Sequence, residues 1–146
     1  VAGFIGSPSM NFIEGEITAD GFESRYLDLE FDSADQGVER GQAVTLGVRP
    51  EDVHLERNSE QAAVPTGTYG RIVDVLEPMG NEMNVYLLSD ENVEASAEGR
   101  GEGQTLMNVG PEEVLGEGEN VEVVFDRDKI HLFDTDSGQA VIHGLE

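Results

Sequence analysis

The amino-acid sequence predicts an all-β barrel or sandwich with short turns and at most one or two helical turns. Apolar and polar residues alternate along many short segments, which is the pattern of half-buried strands. Turn signals rich in Gly, Asp, Asn and Pro recur about every 8–12 residues between these segments. No window longer than about ten residues keeps the 3.6-residue period of an amphipathic helix. At 146 residues, a single domain with a real core is the default.

The first predicted hairpin lies near the start of the chain. Residues 11–19 alternate between apolar and polar side chains, and Phe22–Phe31 alternates in the same way. Asp20-Gly21 separates the two runs, and an Asp-Gly pair between alternating runs is a strong hairpin signal. We therefore expect one hairpin made of two strands.

A third strand is predicted at residues 44–48, where every second residue is apolar. Arg49-Pro50 ends this strand, because proline cannot donate to a strand ladder. Pro50–Val53 is expected to form one helical turn, since proline suits the first helical position and acidic residues stabilise the positive end of the helix dipole.

The second half of the chain is predicted to supply the remaining strands. They are residues 66–76, 83–87, 121–125, 129–133 and 140–142. The run Pro78-Met79-Gly80-Asn81 separates the first two of these strands. Asp126-Arg127-Asp128 is expected to join residues 121–125 and 129–133, so that these two strands face each other.

The sign of the charge is unusual, with 31 acidic against 8 basic side chains and a formal net charge of −23. Val, Leu, Ile and Phe make up about 27% of the residues, above the roughly 20% typical of disordered chains, so the chain is expected to fold. Self-repulsion of this size opposes folding in dilute buffer, whereas molar salt screens it. We interpret the acidity as adaptation to a salt-rich cytoplasm. An acidic surface that mimics a substrate is the alternative, and the spread of the acids along the whole chain argues against it.

The composition also argues against binding of nucleic acid or metal ions and against catalysis. The single lysine, Lys129, and the scattered arginines give no basic patch for nucleic acid. There is no cysteine, and His54, His131 and His143 lack metal-ligand spacing. Residues 134–138 only partly resemble a calcium loop and are expected to form a plain turn. No phosphate-binding glycine and lysine loop occurs, so we expect neither catalysis nor a cofactor or metal in this chain.

Four segments, in this order, resemble one family. They are Val1–Phe12 (VAGFIGSPSMNF), Leu46–Asp52 (LGVRPED), Val75–Glu82 (VLEPMGNE) and Ile130–Asp134 (IHLFD). Together they span nearly the whole chain. They are similar to the C-terminal regulatory region of ATP-binding subunits in carbohydrate ABC importers of the maltose/trehalose and glycerol-3-phosphate type.

The resemblance implies an OB-like β-barrel of the TOBE type at residues 9–146, preceded by a junction at residues 1–8. It implies that ATP and magnesium bind in an ATPase half absent from this sequence, and that the barrel holds two identical subunits together and receives regulatory proteins. The membrane subunits of the transporter would contact the ATPase half. The parent would therefore lie in the cytoplasm, peripheral to the inner face of the cell membrane.

The resemblance also singles out candidate junction and interface residues. They are Phe4, Gly6, Ser7, Pro8, Asn11, Phe12, Arg49, Pro50, Glu51, Gly80, Asn81 and Glu82. Gly6 and Pro8 are expected to set the direction of the chain at the junction, and Phe12 is expected to pack into the barrel. Arg49 is expected to pair with a carboxylate, either inside the barrel or across a subunit interface. Asn81 is expected to supply a positive φ at a hairpin turn.

Two other function classes remain as alternatives. Related TOBE barrels in molybdate proteins bind oxyanions near a segment that corresponds here to residues 8–15. Asn11 and Gly15 match that segment, but Met10 replaces an arginine and Glu14 adds a negative charge, and both changes disfavour an anion. A free-standing enzyme is disfavoured by the absence of a nucleophile, a metal set and a phosphate loop.

Overall fold

The computed structural model describes residues 10–24, 27–31, 38–89 and 104–143. Within these ranges the chain forms eleven short strands and three single-turn or double-turn 3₁₀ segments. The strands are β1 (Asn11–Ile17), β2 (Gly21–Ser24), β3 (Leu29–Glu30), β4 (Ala43–Val48), β5 (Val53–Leu55), β6 (Tyr69–Pro78), β7 (Met83–Leu88), β8 (Gln104–Val109), β9 (Asn120–Phe125), β10 (His131–Asp134) and β11 (Ala140–His143). The 3₁₀ segments are Pro50–Asp52, Glu56–Gln61 and Arg127–Lys129. None of the helical segments in the described ranges is long or apolar enough to cross a bilayer.

Six strands form one antiparallel sheet in the order β11-β10-β4-β1-β2-β3. β1 and β4 lie at its centre, with Asn11 opposite Val48 and Ile13 opposite Leu46. β10 pairs with the other edge of β4, so that Leu132 lies opposite Leu46. The alternation in β4 therefore turns its apolar side chains towards one face of the sheet.

The other five strands form a second antiparallel sheet in the order β5-β9-β6-β7-β8. Its two edge strands, β5 and β8, approach each other, and the Pro50–Asp52 turn lies beside β8. The sheet is therefore a nearly closed barrel, as the predicted all-β, OB-like architecture requires.

The hydrophobic core lies between the inner faces of the two sheets. Phe22 and Leu46 from the first sheet and Val123 and Phe125 from the second are all buried in the same cluster. Each fully buried aliphatic or aromatic side chain contributes roughly 1.5–3 kcal/mol relative to an exposed one. Burial of the alternating apolar positions is thus what holds the two sheets together.

The first predicted hairpin is confirmed, because Ile17 pairs with Phe22 across the Asp20-Gly21 turn. Its second strand is shorter than predicted, since residues 22–31 divide into β2 and β3, which pair with each other. Polar side chains cause this division. The Ser24 hydroxyl donates to the Leu27 carbonyl (2.6 Å) and accepts from the Leu27 amide (2.9 Å), while the Ser24 amide donates to the Asp28 carboxylate (3.1 Å).

The predicted face-to-face pairing of residues 121–125 and 129–133 is wrong. β9 lies between β5 and β6 in one sheet, and β10 lies between β4 and β11 in the other. The Arg127–Lys129 turn carries the chain from one sheet to the other, and Asp126 caps this turn by accepting a hydrogen bond from the Asp128 amide. A side-chain cap of this kind starts a helical turn. The residues between β9 and β10 therefore do not form the tight turn that a hairpin of these two strands would need.

Candidate interaction surface on the six-stranded sheet

Asn11 links the two sheets at the start of β1. Its side-chain amide nitrogen donates to the Leu106 carbonyl (2.9 Å), and its amide oxygen accepts from the Leu106 backbone N–H (2.8 Å). A primary amide has the same donor and acceptor pair as a peptide group, so Asn11 pairs with β8 as a neighbouring strand would. Asn11 is buried, with 5% of its surface exposed. This sequence-predicted site residue is therefore a structural bridge.

Phe12 lies on the outer face of the six-stranded sheet, the face turned away from the core. Its side chain is 61% exposed, so the prediction that it packs into the barrel is wrong. Asn11 and Ile13 on either side are buried, and alternation along a strand therefore directs Phe12 outwards. Its ring contacts Phe133 edge to face, with a centroid distance of 6.1 Å.

Gly47 lies on the same outer face as Phe12, beneath the side chains of Met10 and Phe133. It lies opposite Phe12 on one side and opposite His131 on the other. A Cβ atom at position 47 would lie only 2.9 Å from a ring carbon of Phe133 and would collide with the Met10 sulfur. Glycine therefore allows both side chains to lie across the sheet. We call Met10, Phe12, Gly47 and Phe133 the Phe12 patch.

The predicted corner Arg49-Pro50-Glu51 lies next to the Phe12 patch. Pro50 is buried, whereas Arg49 and Glu51 are exposed. Arg49 follows Val48, the residue opposite Asn11, so Arg49 is level with Met10 at one end of the patch. Among the described residues no carboxylate forms an ion pair with Arg49, and the only ion pair found there joins Arg57 and Glu113 (2.6 Å). An intramolecular partner for Arg49 is therefore not found in this part of the chain.

The predicted turn Gly80-Asn81-Glu82 lies in the other sheet, between β6 and β7. The Met79 amide donates to the Glu82 carbonyl (2.8 Å) and closes the turn. The positive φ belongs to Gly80 (+81°), so the prediction that Asn81 supplies it is wrong. All three residues are exposed. The predicted interface residues thus divide between the two sheets.

Four predicted junction residues, Phe4, Gly6, Ser7 and Pro8, lie outside the described residues. Sequence reasoning missed four residues: Met10, Gly47 and Phe133, which shape this surface, and the buried residue Leu106, whose backbone binds Asn11. Three of them lie inside segments that carried the family resemblance. Leu106 could not be found in this way, because its contact with Asn11 is made by the backbone and carries no sequence signal.

Two carboxyl groups, one in the turn beside β8 and one at the end of β10, have shifted pKa values. Burial raises the pKa of Asp52, and the nearby negative charges of Glu51 and Asp126 add to this rise. Hydrogen bonds from the Ser137 amide and the Gln42 side chain lower the pKa of Asp134. The Ser137 amide lies 2.9 Å from the Asp134 carboxylate, which is the geometry of a turn closed by an aspartate.

Metal-ligating side chains do not gather in the described ranges. His54 lies on β5, and strand pairing places His131 opposite His143 at the edge of the six-stranded sheet. No group of three or more His, Cys, Asp or Glu residues with the geometry of a metal site occurs among the residues described.

The chain matches known families along most of its length. Residues 6–53 match the MalK OB fold domain family, and residues 46–133 match the TOBE domain family. The fold resembles that of the cytoplasmic molybdate-binding protein ModG, with a TM-score of 0.59 and 18% identity over 84% of this chain and 94% of the other. At this identity the likeness concerns the fold alone.

Two curated relatives align with 97% of the chain. The xylose/arabinose import ATP-binding protein XacK of Haloferax volcanii is 36% identical, and the trehalose/maltose import ATP-binding protein MalK of Thermococcus litoralis is 35% identical. The chain spans only 34% and 37% of the length of these two relatives. With strand order, matched families and relatives in agreement, the chain belongs to the TOBE domain family and carries the MalK-type OB fold.

Proposed function

We propose that this chain is the regulatory and dimerisation domain of the ATP-binding subunit of an ABC importer for sugars or related solutes. One observation carries the proposal. Two ATP-binding proteins of sugar import align with 97% of the chain at 35–36% identity, without a long unmatched region. The matched domain is the TOBE domain with its OB fold, not the domain that hydrolyses ATP.

The physical role we propose is to keep two ATPase halves close together. When two barrels pair, the attached halves remain at a high effective concentration even while they open and close. ATP and magnesium would bind in those halves and not in this chain. The membrane subunits would contact the ATPase halves, and the assembly would then lie at the inner face of the cell membrane. A regulatory protein would bind the exposed surface of the barrel.

The domains we propose are a junction at residues 1–8 and the TOBE barrel at residues 9–146. The two matched families overlap and together run from residue 6, inside the proposed junction, to residue 133, which supports one continuous domain over most of residues 9–146. The role of the junction would be to connect the barrel to the ATPase half.

Light scattering tests the dimerisation. In about 2 M salt, which screens the net charge of −23, we expect a particle with twice the monomer mass of 15.8 kDa. At about 20 mM salt we expect a smaller mass, because identical acidic surfaces repel each other. A monomer at every salt concentration would contradict the proposal that this domain pairs the subunits.

Oxyanion binding is the second candidate, and it has weaker support. Only the fold is shared with ModG. In this chain Met10 occupies the position expected for an anion-binding arginine and lies against Gly47, while Glu14, further along β1, is exposed. Calorimetric titration with molybdate, tungstate and sulfate separates the two candidates. We expect no binding heat; saturable heat would favour the oxyanion function.

A further inference from the structure

We propose that the Asp20-Gly21 peptide bond is a site of spontaneous covalent modification to isoaspartate, against which the native hairpin protects it through the Thr18 hydroxyl. Asp20-Gly21 is the only Asp-Gly pair in the sequence, and no Asn-Gly pair occurs. An Asp-Gly pair is prone to this reaction, because glycine has no side chain to hinder the approach of its nitrogen to the preceding carboxyl group. The inference concerns the chemical stability of the chain and is independent of the proposed function.

The reaction joins two neighbouring groups of the chain. The Gly21 nitrogen attacks Cγ of the protonated Asp20 carboxyl group. A carbon–nitrogen bond forms, and one water molecule leaves with the carboxyl hydroxyl and the amide proton. Water then opens the resulting succinimide ring. Addition at Cγ restores aspartate, whereas addition at the main-chain carbonyl carbon leaves the chain linked through Cβ and Cγ, and water is the only co-reactant.

The hairpin holds the Asp20-Gly21 peptide group at both ends. The Gly21 amide donates to the Thr18 hydroxyl (3.1 Å) and to the Thr18 carbonyl (3.3 Å). The Asp20 carbonyl accepts from the Phe31 amide (3.0 Å), and the Asp20 amide donates to the Thr18 hydroxyl (3.2 Å). The Asp20 side chain is exposed, whereas Gly21 is buried. The Gly21 nitrogen therefore cannot turn towards the carboxyl group until these hydrogen bonds open.

The fold requires the glycine that makes this bond reactive. Gly21 has a φ of +146°, which side chains other than that of glycine rarely allow. A Cβ atom at position 21 would collide with the Leu29 carbonyl oxygen and would lie 2.8 Å from the Phe31 nitrogen. Since the backbone beside β3 leaves no room for another residue, protection has to come from hydrogen bonds and not from a different side chain.

Isomerisation would prevent the hairpin from forming again. Isoaspartate adds one carbon atom to the main chain between two pairs of opposed residues, Ile17 with Phe22 and Gly21 with Glu30. Phe22 is only 2% exposed and belongs to the hydrophobic core. A longer main chain at this turn cannot keep the register that buries Phe22. The modification would therefore accumulate in chains whose hairpin has opened and would trap them outside the native fold.

Peptide mapping of the full chain tests the inference. Trypsin releases the peptide that ends at Arg25, and Asp20 is its only aspartate, so an isomer of unchanged mass and altered chromatographic retention reports on this one bond. In about 2 M salt at about pH 6, we expect Thr18→Val to raise the rate of isomerisation about fivefold, because loss of the hydroxyl increases the open fraction of the hairpin. Thr18→Ser keeps the hydroxyl and should keep the original rate.

The unfolded chain is the matched control. In guanidinium chloride the original chain and both Thr18 variants should isomerise equally fast, and at least about tenfold faster than the folded original chain. Asp20→Glu should give no isomer, because glutamate would have to form a larger ring. If the folded and unfolded original chains isomerise at the same rate, or if folded Thr18→Val matches the original chain, the inference is wrong.

Hydrogen exchange of the Gly21 amide gives a test that needs no variant. As salt is lowered stepwise, the rate of exchange at Gly21 and the rate of isomerisation of the original chain should rise in proportion, because both require the same opening. An isomerisation rate that stays constant while exchange at Gly21 accelerates would contradict protection by the hairpin.

Discussion

Asn11 makes the most specific single-residue contribution to the packing of the two sheets. Replacing it with alanine removes two buried hydrogen bonds and leaves the Leu106 amide and carbonyl without their side-chain partner. We expect Asn11→Ala to lower the free energy of unfolding by roughly 2–4 kcal/mol. Chemical denaturation at fixed high salt measures this loss. Asn120→Ala, at an exposed strand end, is the control and should change stability little.

Gly47 is a second residue whose replacement has a predictable effect. Gly47→Ala places a methyl group against the Phe133 ring and the Met10 sulfur, so we expect a loss of about 1–3 kcal/mol. Gly70 lies in strand β6, and a Cβ there would meet no atom within 4 Å. Gly70→Ala should therefore be neutral or slightly stabilising. Equal thermal stability of the two variants would show that Met10 and Phe133 do not depend on Gly47.

At the scale of elements, one ion pair joins the Glu56–Gln61 segment to the loop that follows β8. The Glu113 carboxylate accepts from the Arg57 guanidinium (2.6 Å) and from the Asn58 amide (2.9 Å). These hydrogen bonds lower the pKa of Glu113. A carboxyl group with a lowered pKa in the folded state stabilises that state above its unfolded pKa, and this contribution disappears as the pH falls through the folded pKa.

Denaturation of Glu113→Gln at several pH values tests this connection. The stability difference from the original chain should be constant above about pH 5 and should shrink as the pH falls below about 4. We expect less than about 1 kcal/mol, because more than half of the Arg57 side chain is exposed. Glu112→Gln is the neighbouring control. A difference that persists unchanged at low pH would mean that the charge of Glu113 is not involved.

Alternation and turn signals predicted most of the strands and the first hairpin. They could not show where residues 22–31 divide, because that depends on hydrogen bonds from Ser24 and Asp28. They also could not show that β9 and β10 lie in different sheets, since adjacent apolar runs can pair directly or connect two layers. Phe12 could have been placed correctly from its buried neighbours Asn11 and Ile13, had Asn11 been recognised as an inward-facing residue.

At the scale of the whole molecule, charge and salt concentration are expected to control folding. The net charge of −23 is spread along the chain, and its repulsion opposes compaction unless ions screen it. We expect the circular dichroism spectrum to show strands at about 2 M salt and a loss of structure after dialysis to about 20 mM. An unchanged spectrum at low salt would contradict adaptation to a salt-rich cytoplasm. An uncharged osmolyte at equal osmolarity is the control for non-electrostatic stabilisation.

The position of the Asn11 bridge has a mechanical consequence. Asn11 is the first residue of β1, and its side chain is hydrogen-bonded to the backbone of β8 in the other sheet. We therefore expect tension applied through the preceding residues to act on both sheets together, and not to separate β1 from its neighbours alone. We expect the two hydrogen bonds of Asn11 to divide the force of such a pull between the two sheets.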